Sequence, residues 1–296
     1  MSDGMAKVFL DYDQQALDNA YDQAVYAPNR DQILARLAHT SELVRRRIGS
    51  PARFSYGEQA IEGLDVYRTP RPHAPINVFV HGGAWRAGLA RDYAFAAEML
   101  VHAGAHFVAL DFNNVIETGG DLLPMAEQVR RGIAWVFHNA KQFGGDPARL
   151  YVSATSSGAH LAGVAAATDW TKYGLPAGPV KGYTLCSGIY DLRGPRLSKR
   201  SSYVKFTDEV EQALSPQRHL ARINAPIVLV YGSLETPEFL RQTREFGDAL
   251  TRAAKIAEVI RAEGYNHFEI AETLGNPYGP LGRAVLAQMK LDSGPG

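Results

Sequence analysis

The sequence has little cysteine, no excess of either charge and no long apolar run, and each absence excludes a class of protein. The single cysteine, Cys186, can form neither an internal disulfide nor a cysteine-based zinc site, which favours a reducing compartment. Basic and acidic residues number 31 each, so no net charge attracts nucleic acid or an anionic membrane. The polar first thirty residues and the lack of about eighteen consecutive apolar residues predict neither a signal peptide nor a membrane span. We therefore expect a cytoplasmic protein whose partner is a small molecule.

Patterns typical of buried strands and of helices alternate along most of the 296 residues. Nearly continuous apolar runs have the composition of strands buried on both faces: INVFV, HFVAL, RLYVSA, GYTLCS and IVLVYG. Helical spacing lies between or after them, at roughly residues 92–103, 124–143, 157–168, 237–253 and 279–290. This alternation predicts an α/β fold with right-handed crossovers and an open, mostly parallel sheet covered on both faces. A ligand is then expected beyond the carboxyl ends of the strands.

Other segments depart from this alternation. Residues 30–47 have apolar positions at helical spacing, and RFSYGEQ and GLDVYRT are typical of an antiparallel hairpin at a sheet edge. Residues 190–222 are polar and contain no strand pattern, which indicates a small cap. We therefore predict a single domain over residues 1–296, with an N-terminal helical extension at 1–50 and a cap insertion at 190–222.

The segment HGGAW, residues 81–85, directly follows the strand INVFV. Two glycines at a strand end let the backbone turn tightly and point its N–H groups into open space, where they can stabilise an oxyanion. A plain strand-ending turn is the alternative.

The segment SATSSGAH, residues 153–160, joins a strand to an alanine-rich helix. A nucleophilic serine on a sharp strand-to-helix turn needs small residues two positions to either side, and Ala154 and Gly158 meet that need for Ser156. The N–H of Ser157 would then complete an oxyanion hole at the helix N-terminus. The alternative is that these hydroxyl groups only cap the helix.

A nucleophilic serine needs a base and an orienting carboxylate. Of the nine histidines, His267 follows the last predicted strand, AEVIRA, and is expected on a loop. Glu235 follows the strand IVLVYG, although it and Glu238 also suit the start of a helix near Pro237. The order Ser156, Glu235, His267, each after a predicted strand, is the chain order of the α/β-hydrolase triad.

Together these segments resemble the α/β-hydrolase superfamily, in the branch of HGG-type esterases that includes hormone-sensitive-lipase-like esterases and kynurenine formamidases. The resemblance covers about residues 60–290 and is carried by HGGAW, FGGDPARLYV, SSGAHLA and the loops of Glu235 and His267. Near the N-terminus, LDNAY is similar to the formamidase-like branch. The resemblance implies an α/β-hydrolase fold with an eight-stranded, mostly parallel sheet, helices on both faces and a small cap.

The resemblance also implies a serine hydrolase that forms an acyl-enzyme intermediate. Ser156 would be the nucleophile, His267 the general acid and base, and Glu235 the orienting acid. Backbone N–H groups would form the oxyanion hole, those of Gly83, Ala84 and Ser157. The substrate would be a carboxylic ester or an aryl amide, preferably an N-formyl or N-acyl arylamine. Aromatic side chains are expected to line its pocket: Trp85, Tyr93, Phe112 and Tyr190.

Two positions depart from the family pattern. Ala154 stands where relatives carry the first glycine of the serine turn, and this could tilt the serine. DFNN, at residues 111–114, stands where relatives usually carry a Tyr-Arg type sequence, which predicts an unusual pocket wall there. Neither departure removes a reacting atom.

A nucleotide-dependent or metal-dependent α/β protein is one alternative, and the sequence argues against it. Gly83–Gly88 has the glycine spacing of a P-loop, but Leu89 and Ala90 stand where Lys and Ser or Thr are required. Neither G-x-G-x-x-G nor H-E-x-x-H occurs. We therefore expect no cofactor and no metal. A non-catalytic ligand-binding protein of the same fold, or a short-chain carboxylesterase with no amidase role, are the alternatives. A homodimer is a further option, because the N-terminal helix is expected to be exposed.

Overall fold

In the computed structural model, which describes residues 6–291, eight strands form one sheet. They are β1 (Ala52–Ser55), β2 (Gly63–Tyr67), β3 (Ala74–Val80), β4 (His106–Leu110), β5 (Gly145–Thr155), β6 (Val180–Cys186), β7 (Ile227–Gly232) and β8 (Ala257–Ala262). Their spatial order is β1-β2-β4-β3-β5-β6-β7-β8. β1 and β2 form the expected antiparallel hairpin at one edge, and all neighbours from β4 to β8 run parallel. The predicted α/β-hydrolase sheet is confirmed.

The described residues contain eleven α-helices. They are α1 (Gln14–Ala20), α2 (Gln23–Tyr26), α3 (Arg30–Ile48), α4 (Ala97–His102), α5 (Leu123–Asn139), α6 (Ser157–Ala166), α7 (Arg193–Leu197), α8 (Asp208–Ala213), α9 (Pro237–Arg252), α10 (His267–Glu272) and α11 (Pro280–Gln288). Short 3₁₀ segments join them, and the first, Ala90–Ala96, runs directly into α4. None of the helices within residues 6–291 has the length and hydrophobicity to span a bilayer.

The central strands are apolar throughout because helices cover both faces of the sheet. Successive side chains of a strand point to opposite faces, so Val78 and Phe79 of β3 enter different cores. Val78 packs on the side of α5, α6 and α9, and Phe79 packs on the side of α3, α4 and α11. A strand buried twice in this way needs a continuous apolar run, and β3 is buried along its whole length.

The N-terminal segment lies against the segment at residues 190–222. It contains α1 and α2 before the expected helix α3, and neither short helix was predicted. The carboxylate of Asp18 accepts the N–H of Lys199 at 2.6 Å, and the carbonyl of Tyr21 accepts a hydrogen bond from Arg200 at 2.8 Å. Residues 190–222 fold as α7, α8 and 3₁₀ turns, with no strand. The boundaries of extension and cap as units remain predictions.

Candidate active site

Ser156 lies at the turn from β5 into α6, at the carboxyl end of the sheet. Its backbone has φ 55° and ψ −126°, a positive φ that side-chain-bearing residues adopt at a cost of about 1–3 kcal/mol. The Ser156 N–H donates to the carbonyl of Cys186, at the end of β6, at 2.8 Å. The neighbouring strand therefore helps to hold the turn, and the serine stands where α/β folds bind ligands.

The two small residues around Ser156 have different amounts of room. A Cβ on Gly158 would lie 2.2 Å from the carbonyl oxygen of Val80 and 2.3 Å from that of His81, so only glycine fits. Ala154 is fully buried in β5 and keeps regular register with Val80 of β3 on one side and with β6 on the other. The sheet accommodates the alanine methyl group, and the serine hydroxyl beyond it still reaches a histidine.

The structure brings Ser156, His267 and Glu235 together at the ends of three strands. The Oγ of Ser156 is 2.9 Å from Nε2 of His267, and Nδ1 of His267 is 2.7 Å from Oε2 of Glu235. Both His267 and Glu235 are buried, at 6% and 3% exposure. The other carboxylate oxygen, Oε1, accepts the N–H of Gly232 at 2.8 Å and the hydroxyl of Ser187. These donors fix the plane in which the carboxylate meets the imidazole.

His267 is the first residue of α10 and not a loop residue, which corrects the expectation from the sequence. Asn266 caps this helix: its side chain accepts the N–H groups of Phe268 and Glu269, and Glu269 accepts the N–H of Asn266 at 2.9 Å. This capping box fixes the backbone that carries the imidazole. A helix of six residues is too short to show apolar periodicity, which is why the pattern did not reveal it.

The HGGAW loop passes directly beside the serine. A Cβ on Gly82 would lie only 2.9 Å from the Cβ of Ser156. Positive φ angles of 122° at Gly83 and 55° at Ala84 turn the backbone, and the N–H of Trp85 donates to Oγ of Ser157 at 3.1 Å. Within the described part of the chain, the N–H groups of Gly83 and Ala84 donate to no other group. They remain available to a bound oxyanion, as does the N–H of Ser157 at the start of α6.

A cavity of about 1010 Å³ opens beside Ser156 and His267. Of the four aromatic residues expected to line it, Tyr93 does so. The prediction is wrong for Trp85, Phe112 and Tyr190, which are packed in the core at 2%, 6% and 0% exposure. Aromatic residues near strand ends were expected to face the ligand, but the sequence does not fix the direction in which such side chains turn.

Each of the three buried aromatic residues has a partner in the core. The Phe112 ring stacks on His81 with 4.3 Å between ring centres, and Tyr190 stacks on Phe246 at the same distance. Trp85 donates its Nε1–H to Nδ1 of His160 at 3.1 Å. Burial of these large rings in the core stabilises the loops that surround the cavity.

Several residues that meet the site were missed by the sequence reasoning. Gln23 of α2 donates from Nε2 to Oε2 of Glu235 at 3.2 Å. Asn29, just before α3, accepts from Nδ2 of Asn266 at 2.8 Å and donates to Glu269 at 2.7 Å. More than 200 residues separate these partners along the chain, so no local pattern predicts the contacts. The one available signal was the formamidase-like LDNAY segment just before Gln23.

The chain is similar to known proteins across most of its length. The BD-FAE family model matches residues 64–180. A kynurenine formamidase of Danio rerio is 34% identical over 226 residues, covering 74% of this chain and 75% of that protein. The chain belongs to the kynurenine formamidase family of α/β-hydrolases. An isoprenylcysteine alpha-carbonyl methylesterase of Arabidopsis thaliana is less similar to this chain. It is 28% identical over 254 residues, which cover 78% of this chain and 58% of that protein.

Solved structures show the same fold. A putative thioesterase from a Silicibacter species superposes with a TM-score of 0.77 at 21% identity, over 93% of this chain and 98% of that one. Esterase LipW from Mycobacterium marinum superposes with a TM-score of 0.71 at 18% identity, over 92% and 90% of the two chains. With the family membership, this confirms the prediction of an α/β-hydrolase enzyme of the esterase and amidase class.

Proposed function

We propose that the protein hydrolyses N-formyl or N-acyl arylamines, and the corresponding aryl esters, through an acyl-enzyme on Ser156. The observation that carries this proposal is the continuous hydrogen-bonded series from Ser156 through His267 to Glu235, at the wall of a cavity of about 1010 Å³. The kynurenine formamidase relative supports a formylated arylamine as the substrate class.

In the proposed first step, Ser156 Oγ attacks the substrate carbonyl carbon while Nε2 of His267 takes the hydroxyl proton. Glu235 accepts the Nδ1–H of His267, which holds the imidazole in the tautomer whose Nε2 is free to act as a base. The N–H groups of Gly83, Ala84 and Ser157 stabilise the negative oxygen of the tetrahedral intermediate.

The intermediate collapses when the C–N or C–O bond breaks. His267 gives its proton to the departing arylamine or phenol, which leaves the acyl group esterified to Ser156. Water, deprotonated by His267, then attacks the acyl carbon and releases the carboxylic acid and the free serine. One water is consumed for each ester or amide bond cleaved, and no cofactor takes part in the balance.

Covalent labelling tests the nucleophile. We expect a fluorophosphonate probe to label one equivalent of the wild-type protein and none of the Ser156→Ala variant. Ser156→Ala and His267→Ala should each lower turnover by several orders of magnitude, because nucleophile and base act as a unit. A folded protein that takes up no probe and cleaves no substrate would instead be a non-catalytic binding protein.

A matched panel tests the substrate class. Formyl-arylamines, acetyl-arylamines and short aryl esters are assayed across pH with the same two variants as controls. We expect formyl-arylamines to exceed acetyl-arylamines about a hundredfold in kcat/KM, near 2.7 kcal/mol of barrier. A panel in which only esters react would identify a short-chain carboxylesterase, the candidate that the methylesterase relative favours.

We further propose a cytoplasmic location, which the buried free thiol of Cys186 supports. The partner is then the small-molecule substrate. Exclusion of nucleic acid and formation of a homodimer remain predictions from the sequence.

A further inference from the structure

The cavity beside Ser156 carries more positive than negative side chains. Charged residues lining it are Asp22, Arg30, Arg86, Asp92, Lys199 and Arg200. Both carboxylates already have partners, since Asp22 pairs with Lys199, and Asp92 lies 3.8 Å from Arg91 and accepts the N–H of Leu89 at 3.1 Å. Among the cations, Arg30 lies 3.5 Å from Asp31. Within residues 6–291, Arg86 and Arg200 have no carboxylate within salt-bridge distance.

Arg200 is a buried cation at 6% exposure. It donates to the hydroxyl of Tyr203 at 3.1 Å and to the carbonyl of Tyr21 at 2.8 Å, and its Nε is buried without a hydrogen-bond partner. Its Cζ also lies 5.2 Å from the ring centre of Trp85. Neutral acceptors and aromatic rings stabilise a guanidinium only in part, and a buried cation with no carboxylate in direct contact is costly. A bound anion would remove that cost.

Arg86 places a second guanidinium group against Tyr203, the tyrosine that Arg200 also contacts. It directly follows the HGGAW loop, and its Cζ lies 4.3 Å from the ring centre of Tyr203, whose hydroxyl accepts from Arg200. One arginine therefore comes from the loop beside the serine and the other from residues 190–222, and both contact Tyr203. We call these two residues the arginine pair.

The arginine pair lies within reach of a substrate held at Ser156. The Cζ of Arg200 is 5.9 Å from the ring centre of Phe239, which is 5.0 Å from the ring centre of His267, so at most about 11 Å separates guanidinium and imidazole. An aryl ring with a short side chain can bridge that distance from the scissile carbonyl.

We infer that Arg86 and Arg200 form a carboxylate-binding subsite, and that the preferred substrates carry a carboxylate and a net negative charge. A planar guanidinium matches a carboxylate in geometry as well as in charge. A zwitterionic substrate gains less, because its ammonium group is repelled by the cations of the cavity wall, and the charges of both wall carboxylates are already matched by Lys199 and Arg91. The inference about substrates rests on the proposed hydrolase function. The inference that the arginine pair binds a carboxylate does not.

Ligand binding to the Ser156→Ala protein tests the subsite without turnover. The probes share one skeleton and differ in charge: anionic 4-phenylbutanoate, zwitterionic 2-amino-4-phenylbutanoate and neutral 4-phenylbutan-1-ol. We expect calorimetry to show the anion binding at least tenfold more tightly than the alcohol, and more tightly than the zwitterion. Equal affinity for anion and alcohol would overturn the subsite, and tighter binding of the zwitterion would overturn the requirement for net negative charge.

Variants made in the Ser156→Ala protein assign the preference to the arginine pair. Arg200→Met should remove the tenfold preference for the anion, Arg200→Lys should retain part of it, and Arg86→Met should reduce it at least threefold. Arg196→Met is the matched control, because Arg196 bonds Asp208 and Glu211 and does not line the cavity. A preference that survives both Arg200→Met and Arg86→Met contradicts the inference. If Arg200→Met does not fold, as judged by near-UV circular dichroism, Arg86→Met and Arg200→Lys decide.

Steady-state kinetics of proteins that retain Ser156 distinguish a failure of the subsite from a failure of the proposed reaction. The probes are 3-(2-formamidophenyl)propanoate and its neutral propanamide analogue. We expect the ratio of their kcat/KM values to favour the anion at least tenfold and to fall towards one in Arg200→Met, mainly through KM. A purely structural role for Arg200 would lower both values by the same factor and leave the ratio unchanged. Tight binding of the anion without turnover of either probe would contradict the proposed hydrolysis and still support the carboxylate-binding subsite.

Discussion

At the scale of single residues, the serine turn depends on close contacts. The sequence indicates them by its small residues, and the structure gives their distances. Gly158 faces two backbone carbonyl oxygens, which cannot move away without disturbing β3 and the HGGAW loop. Ala154 lies within the regular ladder of β5, where a methyl group has room. The departure from the family pattern at Ala154 is therefore compatible with the observed geometry of Ser156.

Substitutions at Gly158 and Ala154 should both destabilise the fold, but only the change at Gly158 should strongly lower activity. Gly158→Ala should destabilise the fold by about 2–3 kcal/mol through overpacking and lower kcat at least tenfold. Ala154→Gly should cost about 1 kcal/mol, since glycine loses more entropy on folding, and change kcat/KM less than threefold. Urea unfolding and ester turnover measure both effects. An Ala154→Gly enzyme that gained tenfold or more in kcat would show that the alanine does tilt the serine.

His160 makes the stability of the fold depend on pH. It is fully buried, accepts from Trp85 on Nδ1 and donates from Nε2 to the carbonyl of Leu214 at 2.7 Å, which suits a neutral ring. Burial lowers its pKa to about 4 from the usual 6.5. As pH falls below 6.5 the unfolded chain takes up the proton first, so stability is complete above pH 6.5 and falls until about pH 4, by about 3 kcal/mol.

The measurement is urea unfolding at pH 7.5, 5.5 and 4.5. His160→Gln should be less stable than wild type at pH 7.5 but should lose about 2.5 kcal/mol less between pH 7.5 and 4.5. Burial also lowers the pKa of His81, so some pH dependence will persist in the variant. Identical losses in the two proteins would contradict the assignment to His160.

At the scale of secondary-structure elements, α2 has more influence on the site than its four residues suggest. Its Gln23 is buried and donates to the carboxylate of Glu235, which is hydrogen-bonded to His267. We propose a positioning role for Gln23, because its Nε2 donates to Glu235 and not to Ser156 or His267.

Gln23→Leu should lower kcat about tenfold, since a hydrogen bond to a charged group contributes roughly 1.5–3 kcal/mol. KM should change much less, because the lost contact acts on the catalytic groups. Gln15→Leu is the control, since Gln15 is exposed on α1 and bonds only Asn19 among the described residues. Steady-state kinetics of both variants check this, and equal kcat values in Gln23→Leu and wild type would contradict it.

The elements differ in how well the sequence predicts them. Central strands such as β3 and β7 were found because burial on both faces leaves an unbroken apolar run. Long amphipathic helices such as α3 and α9 were found because several turns repeat the apolar spacing. α1, α2 and α10 were missed, since one or two turns show no period and tertiary contacts and caps stabilise them instead.

At the scale of the whole molecule, two cores share one sheet. The same strands send alternate side chains to each core, so neither core can lose its packing while the other stays intact. Hydrogen bonds from the Lys199 N–H to Asp18 and from Arg200 to the carbonyl of Tyr21 join the N-terminal segment to residues 190–222. We therefore predict that the chain unfolds as a single domain.

Cys186 reports on this prediction. Its thiol is fully buried in the core on the side of α3, α4 and α11, and burial raises its pKa, so it should react with a thiol reagent only after unfolding. The urea midpoint for labelling of Cys186 should coincide with the midpoint measured by far-UV circular dichroism. Labelling at clearly lower urea would reveal a part of the structure that opens separately.

The sequence by itself determined the fold class and the order of the strands along the chain, and it indicated Ser156, Glu235 and His267 as the proposed triad, because these depend on local composition and on positions just after buried strands. Only the tertiary structure decided which aromatic rings face the cavity, that Gln23 and Asn29 support the site, and that Arg86 and Arg200 meet at Tyr203. Those outcomes depend on the direction of each side chain and on contacts between distant segments, which the packing of the whole chain fixes and no local pattern records.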